Sequence, residues 1–134
     1  MNDALFAEAL AARAFAYAPY SRFAVGAAVL TTSGRIFRGC NVENASYPLC
    51  VCAERVAIGN AVSAGERGIV AVAVVTDTDP SAGPCGACRQ VIFEHGPDCT
   101  VSFGNLAGER RTMSIRELLP LGFDGAALRR DDPR

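Results

Sequence analysis

The stretch CAERVAIGNAVSAGERGIVAVAVVTD, residues 52–77, joins two patterns without a linker. From Cys52 it reads as a helix: Val56, Ile58, Ala61 and Val62 lie among alanines, and Gly65 is placed to end it. From Ile69 to Val75 the chain is continuously apolar, the pattern of a strand covered on both faces. A buried strand that follows a helix directly points to an α/β arrangement, and the flanking sequence extends it.

Upstream, NDALFAEALAARAFAYA (residues 2–18) is rich in alanine and leucine and reads as helix, until Pro19 and Ser21 of APYSRF break it. AVGAAVLTTSGRIFRGCNVE (24–43) then gives two apolar-rich runs around TSGR, a β-hairpin with Gly34 at the turn. Downstream, CGACRQVIFEHG is a second helix closing at Gly96, and CTVSFGN a further strand. GERRTM reads as a short returning strand after Gly108. In SIRELLP, Ser114 and Glu117 have capping-box spacing before a short last helix. Strands alternating with helices after the hairpin predict a mixed sheet with helices packed on its faces.

The chain's 134 residues fit one domain, 1–134, burying about two thirds of its unfolded surface. Its 13 arginines against 14 acids leave a net charge of −1, and the closing LRRDDPR interleaves acids with its arginines. No basic stripe offers itself to nucleic acid, so a small substrate is expected. Asp3 and Glu8 interrupt any signal-peptide core, and the longest apolar run is too short to span a bilayer. A cytoplasmic protein without membrane partners is expected. In that compartment its six cysteines predict metal binding or plain burial rather than disulfides.

Cys52 and Cys85 both fall where strand or loop hands over to helix, where the helix dipole stabilises thiolates. Cys88, three residues after Cys85, shares its side of the first helical turn. Three thiolates on a tetrahedral ion leave the fourth position for water, as in catalytic zinc sites. A closed site completed by Cys40, Cys50 or Cys99 is the structural alternative; Cys50 and Val51 are given no role. Glu54, two after Cys52, completes C-x-E with P-C-x-x-C, the zinc-deaminase arrangement, in which the glutamate is acid and base rather than ligand. Alone it would read as a solvated first-turn carboxylate. Arg55 is placed to withdraw charge from the thiolates, or else is a surface arginine near Glu66.

With both halves of the motif present, the chain resembles the small, zinc-dependent, homotetrameric cytidine deaminases. The resemblance runs through PYSRFAVGAAVLTTSGRIFRGCNVENASYP, CAERVAIGNAVSAG, PCGACRQVIFEHG and ELLPLGF in order. It implies a three-layer α/β/α fold, a mixed β-sheet of about five strands with helices on both faces. It also implies one Zn2+ per chain on Cys52, Cys85 and Cys88, and Glu54 as proton shuttle in converting cytidine and 2'-deoxycytidine to the uridines in pyrimidine salvage. By the same resemblance Asn41 and Glu43 bind the ribose hydroxyls, Phe23 lines the base pocket, and the Ala53 N–H and Pro84 carbonyl hold the reacting centre. Phe123 would come from a neighbouring subunit of a homotetramer, and Tyr47 would lie near the subunit contacts. Read without the family, Asn41 is a local hydrogen-bonder at a strand end, and the two phenylalanines are core. His95, at a helix C-terminus, is no ligand candidate. The rivals are a nucleic-acid deaminase, a deaminase of a cytosine-nucleoside antibiotic of the blasticidin type, and a zinc-stabilised interaction module.

Overall fold

The computed structural model describes residues 3–128; the Arg129–Arg134 part of the charged C-terminal run lies outside the described residues. Helix α1 (Asp3–Arg13) is followed by strands β1 (Gly26–Thr31) and β2 (Ile36–Cys40), helix α2 (Ala53–Ser63) and strand β3 (Ile69–Val75). Helix α3 (Gly86–His95), strands β4 (Thr100–Gly104) and β5 (Arg110–Ser114), and the short helix α4 (Ile115–Leu118) complete the order. The five strands form one sheet, β2-β1-β3-β4-β5. It is mixed: β3 and β4 run parallel, and the other neighbours are antiparallel.

Helices cover both faces, as the alternation of elements predicts. Leu5, Phe6 and Ala9 of α1 pack on Ala28, Ala73 and Val75. The opposite face buries Ala27, Val29, Val72, Val74 and Val101 against Ala57, Ile58 and Ala61 of α2 and Ile92 and Phe93 of α3. Alternate residues of β3 therefore face different helices, which is why Ile69–Val75 carries no polar face.

The local signals hold in detail. Gly34 turns the hairpin at φ 88°, and Gly65 follows the end of α2 at φ 95°. Ser114 caps α4 with the reciprocal Glu117 bond of a capping box. The first helix is shorter than its composition predicts. It ends at Arg13, and Ala14, Phe15 and Ala16 donate back only three residues, to Ala11, Ala12 and Arg13. Tyr17 then pairs with the 41–43 segment: its N–H reaches Asn41 O (2.9 Å) and its carbonyl accepts from Glu43 N (2.8 Å). Pairing with a distant segment outweighs the alanines' helix propensity.

One close approach sets the position of α2. A Cβ on Gly39 of β2 would lie 2.4 Å from both Ala53 O and Ala57 N. Only a residue without a side chain lets the first turn of α2 rest directly on the sheet. Gly39→Ala is therefore expected to destabilise the fold by about 1–3 kcal/mol, the usual cost of overpacking. Denaturant unfolding of the two proteins checks this.

Candidate active site

Three backbone segments meet beyond the end of β2. Asn41 N–H donates to Val25 O (3.2 Å), and Val42 exchanges both backbone bonds with Val51 (3.0 and 2.9 Å). The 41–43 segment is thus stitched between the α1–β1 loop and the approach to Cys52. The Asn41 side chain adds two bonds: Oδ1 accepts from Val25 N (2.9 Å) and Nδ2 donates to Phe23 O (2.7 Å). Glu43 accepts from the N–H groups of Tyr20 (3.0 Å) and Ser21 (3.1 Å) and from the Ser21 hydroxyl. Those bonds, the hydroxyl's first, hold its carboxyl below the ordinary value.

Cys52 is the N-cap of α2 and Cys85 the N-cap of α3; Cys88 lies in the first turn of α3. Their three sulfurs lie within 4.8 Å of one another, and no other group of three potential ligands forms among the described residues. Cys52 Sγ and Cys85 Sγ are 3.9 Å apart. Two thiolates at the usual zinc–sulfur distance on a tetrahedral ion lie about 3.8 Å apart, so this donor set fits zinc. Cys40, Cys50 and Cys99 stand outside the cluster, and none of the six cysteines is in a disulfide. The closed four-thiolate alternative has no fourth sulfur here.

Arg55 Nη2 donates to Cys52 Sγ (3.5 Å), the contact expected from its place behind the glutamate. Among the sulfurs themselves, charge concentrates on Cys52. Its thiol is lowered to about 5, first by the hydrogen bond from Cys88 and then by those from Arg55 and Cys85, against the opposing effect of burial. Cys88, the donor in that pair and itself buried, is pushed up. A divalent cation would remove this asymmetry, because all three would then ligate as thiolates. Glu54 is only 4% exposed, and burial pushes its carboxyl above the ordinary range, with the Cys52 charge acting in the same direction.

A cavity of about 270 Å³ opens over the cluster. Its wall includes Cys52, Ala53, Glu54, Pro84 and Cys85 at one side and Phe23, Asn41 and Glu43 at the other. Phe123 is not part of the wall; it is 57% exposed, and its carbonyl accepts from Gln90 Nε2 (2.7 Å). Tyr47 is exposed and stacks edge-on with Tyr20. His95 ends α3, away from the cluster.

Sequence reasoning missed several residues. Cys50 and Val51 line the cavity, as do Val74, Thr76, Ala82 and Gly83 at and beyond the end of β3. Arg89 Nε donates to Pro84 O (2.7 Å) and its Nη1 to Leu118 O (2.9 Å), so it holds the loop before α3. An arginine next to a cysteine was the only sequence signal for it, and that names no partner.

Set against known proteins, residues 1–104 match the model of the family described as cytidine and deoxycytidylate deaminase zinc-binding region. The chain belongs to this family. It is 53% identical over 120 residues to a cytidine deaminase of Halalkalibacterium halodurans, covering 89% of this chain and 91% of that one. The structure of cytidine deaminase from Burkholderia pseudomallei superposes with a TM-score of 0.88 at 52% identity, over 92% of this chain and 99% of the other. A blasticidin-S deaminase of Bacillus cereus is 36% identical over 107 residues, 74% of this chain and 76% of that one. The family is one of zinc-dependent hydrolytic deaminases, so the chain is an enzyme.

Removing one sulfur should empty the cluster of metal. Cys85→Ala is expected to lose bound zinc, because two thiolates remain where the geometry offers three. Elemental analysis after dialysis against a chelator, with the wild type alongside, checks it.

Proposed function

We propose that this chain, as one catalytic domain, hydrolyses cytidine and 2'-deoxycytidine to uridine and 2'-deoxyuridine with release of ammonia. One Zn2+ per chain would be held by Cys52, Cys85 and Cys88. The observation that carries this reading is a three-sulfur cluster sharing a cavity wall with buried Glu54 and with Asn41 and Glu43. Family membership supplies the reaction class.

When bound, zinc makes a water acidic enough to act as a nucleophile near neutral pH. Glu54 takes a proton from the attacking water and gives it to the ring nitrogen beside the amino-bearing carbon, which makes that carbon electrophilic. The water oxygen bonds to that carbon; as its remaining O–H becomes the carbonyl of the product, Glu54 carries that second proton to the amine, whose bond to carbon breaks and which leaves as ammonia. Burial suits Glu54 to this task, since a carboxyl raised above its ordinary range shares protons more evenly with such groups. The Ala53 N–H, at the start of α2, needs no partner within its helix and can donate to the reacting centre. The Pro84 carbonyl keeps a second lone pair beyond its Arg89 bond and can receive the amine. Arg55 offsets the excess negative charge of three thiolates on a divalent ion.

At the far side of the cavity, Phe23 packs on the base, while Asn41 and Glu43 meet the sugar hydroxyls. Asn41 retains one N–H and one lone pair beyond its bonds to Phe23 and Val25. In this reading the enzyme serves pyrimidine salvage in the cytoplasm and assembles as a homotetramer. Exposed Phe123, held by Gln90 outside its own cavity, then completes a neighbour's site.

Glu54→Gln is expected to retain zinc and lose roughly 10²–10⁴-fold in kcat on cytidine. An ultraviolet assay of cytidine loss, with zinc analysis of the same samples, checks this. If zinc-replete wild type leaves cytidine and deoxycytidine untouched, the reading fails, and a blasticidin-type antibiotic is the next substrate to assay.

Among the described residues the cavity wall carries Glu43 and Glu54 and no basic side chain. A 5'-phosphate on the substrate would meet negative charge without a counter-charge, a mismatch worth several kcal/mol. Cytidine 5'-monophosphate is therefore expected to have a kcat/KM at least about 10²-fold below that of cytidine. Comparable values for the two would contradict the nucleoside assignment.

A further inference from the structure

We propose that Ser21 is a positioning residue for the sugar: its hydroxyl fixes the orientation of the Glu43 carboxylate. This rests on the reading of Glu43 as a sugar-binding group. The two oxygens of Glu43 are held from different directions. Oε1 takes the backbone N–H groups of Tyr20 and Ser21, while Oε2 takes the Ser21 hydroxyl. Without that hydroxyl the carboxylate keeps one anchored oxygen and can swing about it.

The same hydroxyl accepts from Phe23 N–H (3.0 Å), so it is itself oriented to donate toward Glu43. The turn around it is tight. Arg22 sits at φ 59°, a left-handed conformation unfavourable for a residue with a side chain, and its N–H closes onto Ala18 O (2.9 Å). Ser21 does not line the main cavity; with Tyr20, Glu43, Tyr47 and Cys50 it borders a smaller recess beside it. It therefore acts through Glu43 and not by touching substrate. Phe23 has a second hold, from Asn41 Nδ2 to its carbonyl, so loss of the hydroxyl falls mainly on Glu43.

The test is steady-state kinetics of wild type, Ser21→Ala and Ser21→Thr on cytidine and on 2',3'-dideoxycytidine, which lacks the 2'- and 3'-hydroxyls. A hydrogen bond to a charged group is at stake, so Ser21→Ala is expected to raise KM for cytidine about tenfold. Its kcat should stay within about twofold, its KM for the dideoxy substrate should barely move, and Ser21→Thr should restore the cytidine KM, since it keeps the hydroxyl. An equal shift on both substrates, or no shift on either, overturns the role of Ser21. Zinc-replete wild type that is inactive on cytidine overturns the functional reading itself, and this assignment with it.

Discussion

Everything at the candidate site depends on two helix N-termini brought to one point. Cys52 and Cys85 each occupy an N-cap, where a helix leaves N–H groups unpaired and its dipole favours negative charge. At Cys52 the thiol is held low before any cation arrives. The sheet imposes the meeting. Gly39 lets the first turn of α2 lie against β2, and the loop after β3 carries α3 to the same end of the sheet. Ligand sites in open α/β sheets form beyond the carboxyl ends of strands for the same reason: loops and helix starts converge there.

Charge is then distributed by what surrounds the sulfurs. Cys52 receives hydrogen bonds from Cys88 and Arg55, so it is the sulfur most ready to ionise. Glu54, two residues on, is buried beside that charge and is pushed toward its protonated form. An acid that resists ionisation next to one thiol, Cys52, that accepts it is a division of labour set by environment, not by residue type. The proposed proton shuttle uses that contrast. The opposite wall works by restraint: the Asn41 side chain spends half, and Glu43 most, of its hydrogen-bonding capacity on the 20–25 segment. Groups held so firmly lose little entropy when a ligand arrives.

Much of this was legible in the sequence because the signals were local. Gly34, Gly65 and the Ser114–Glu117 capping box act within a few residues, and the apolar run of β3 reports burial on both faces. C-x-E with P-C-x-x-C was legible for the same reason, since each half is a helix start with its chemistry fixed by spacing. What stayed hidden depends on distant partners. The end of α1 is set by pairing of Tyr17 with Asn41 and Glu43, which no propensity in residues 14–18 encodes. Arg89 reaches Pro84 and Leu118, and Thr76, Ala82 and Gly83 become cavity wall only once the loop after β3 folds over the cluster. Asn41 admitted two readings in sequence, and its geometry serves the local one while leaving capacity for the other.

In the proposed reading Cys52, Cys85 and Cys88 bind one zinc ion and leave a fourth position open. X-ray absorption spectroscopy of the zinc-loaded protein tests it most directly. Three sulfur neighbours at about 2.3 Å and one lighter oxygen or nitrogen neighbour at about 2.0 Å are expected, the usual distances for such ligands. Four sulfur neighbours would make the site structural and leave Glu54 without its proposed task. Two or fewer would mean that the three sulfurs do not act together on the metal.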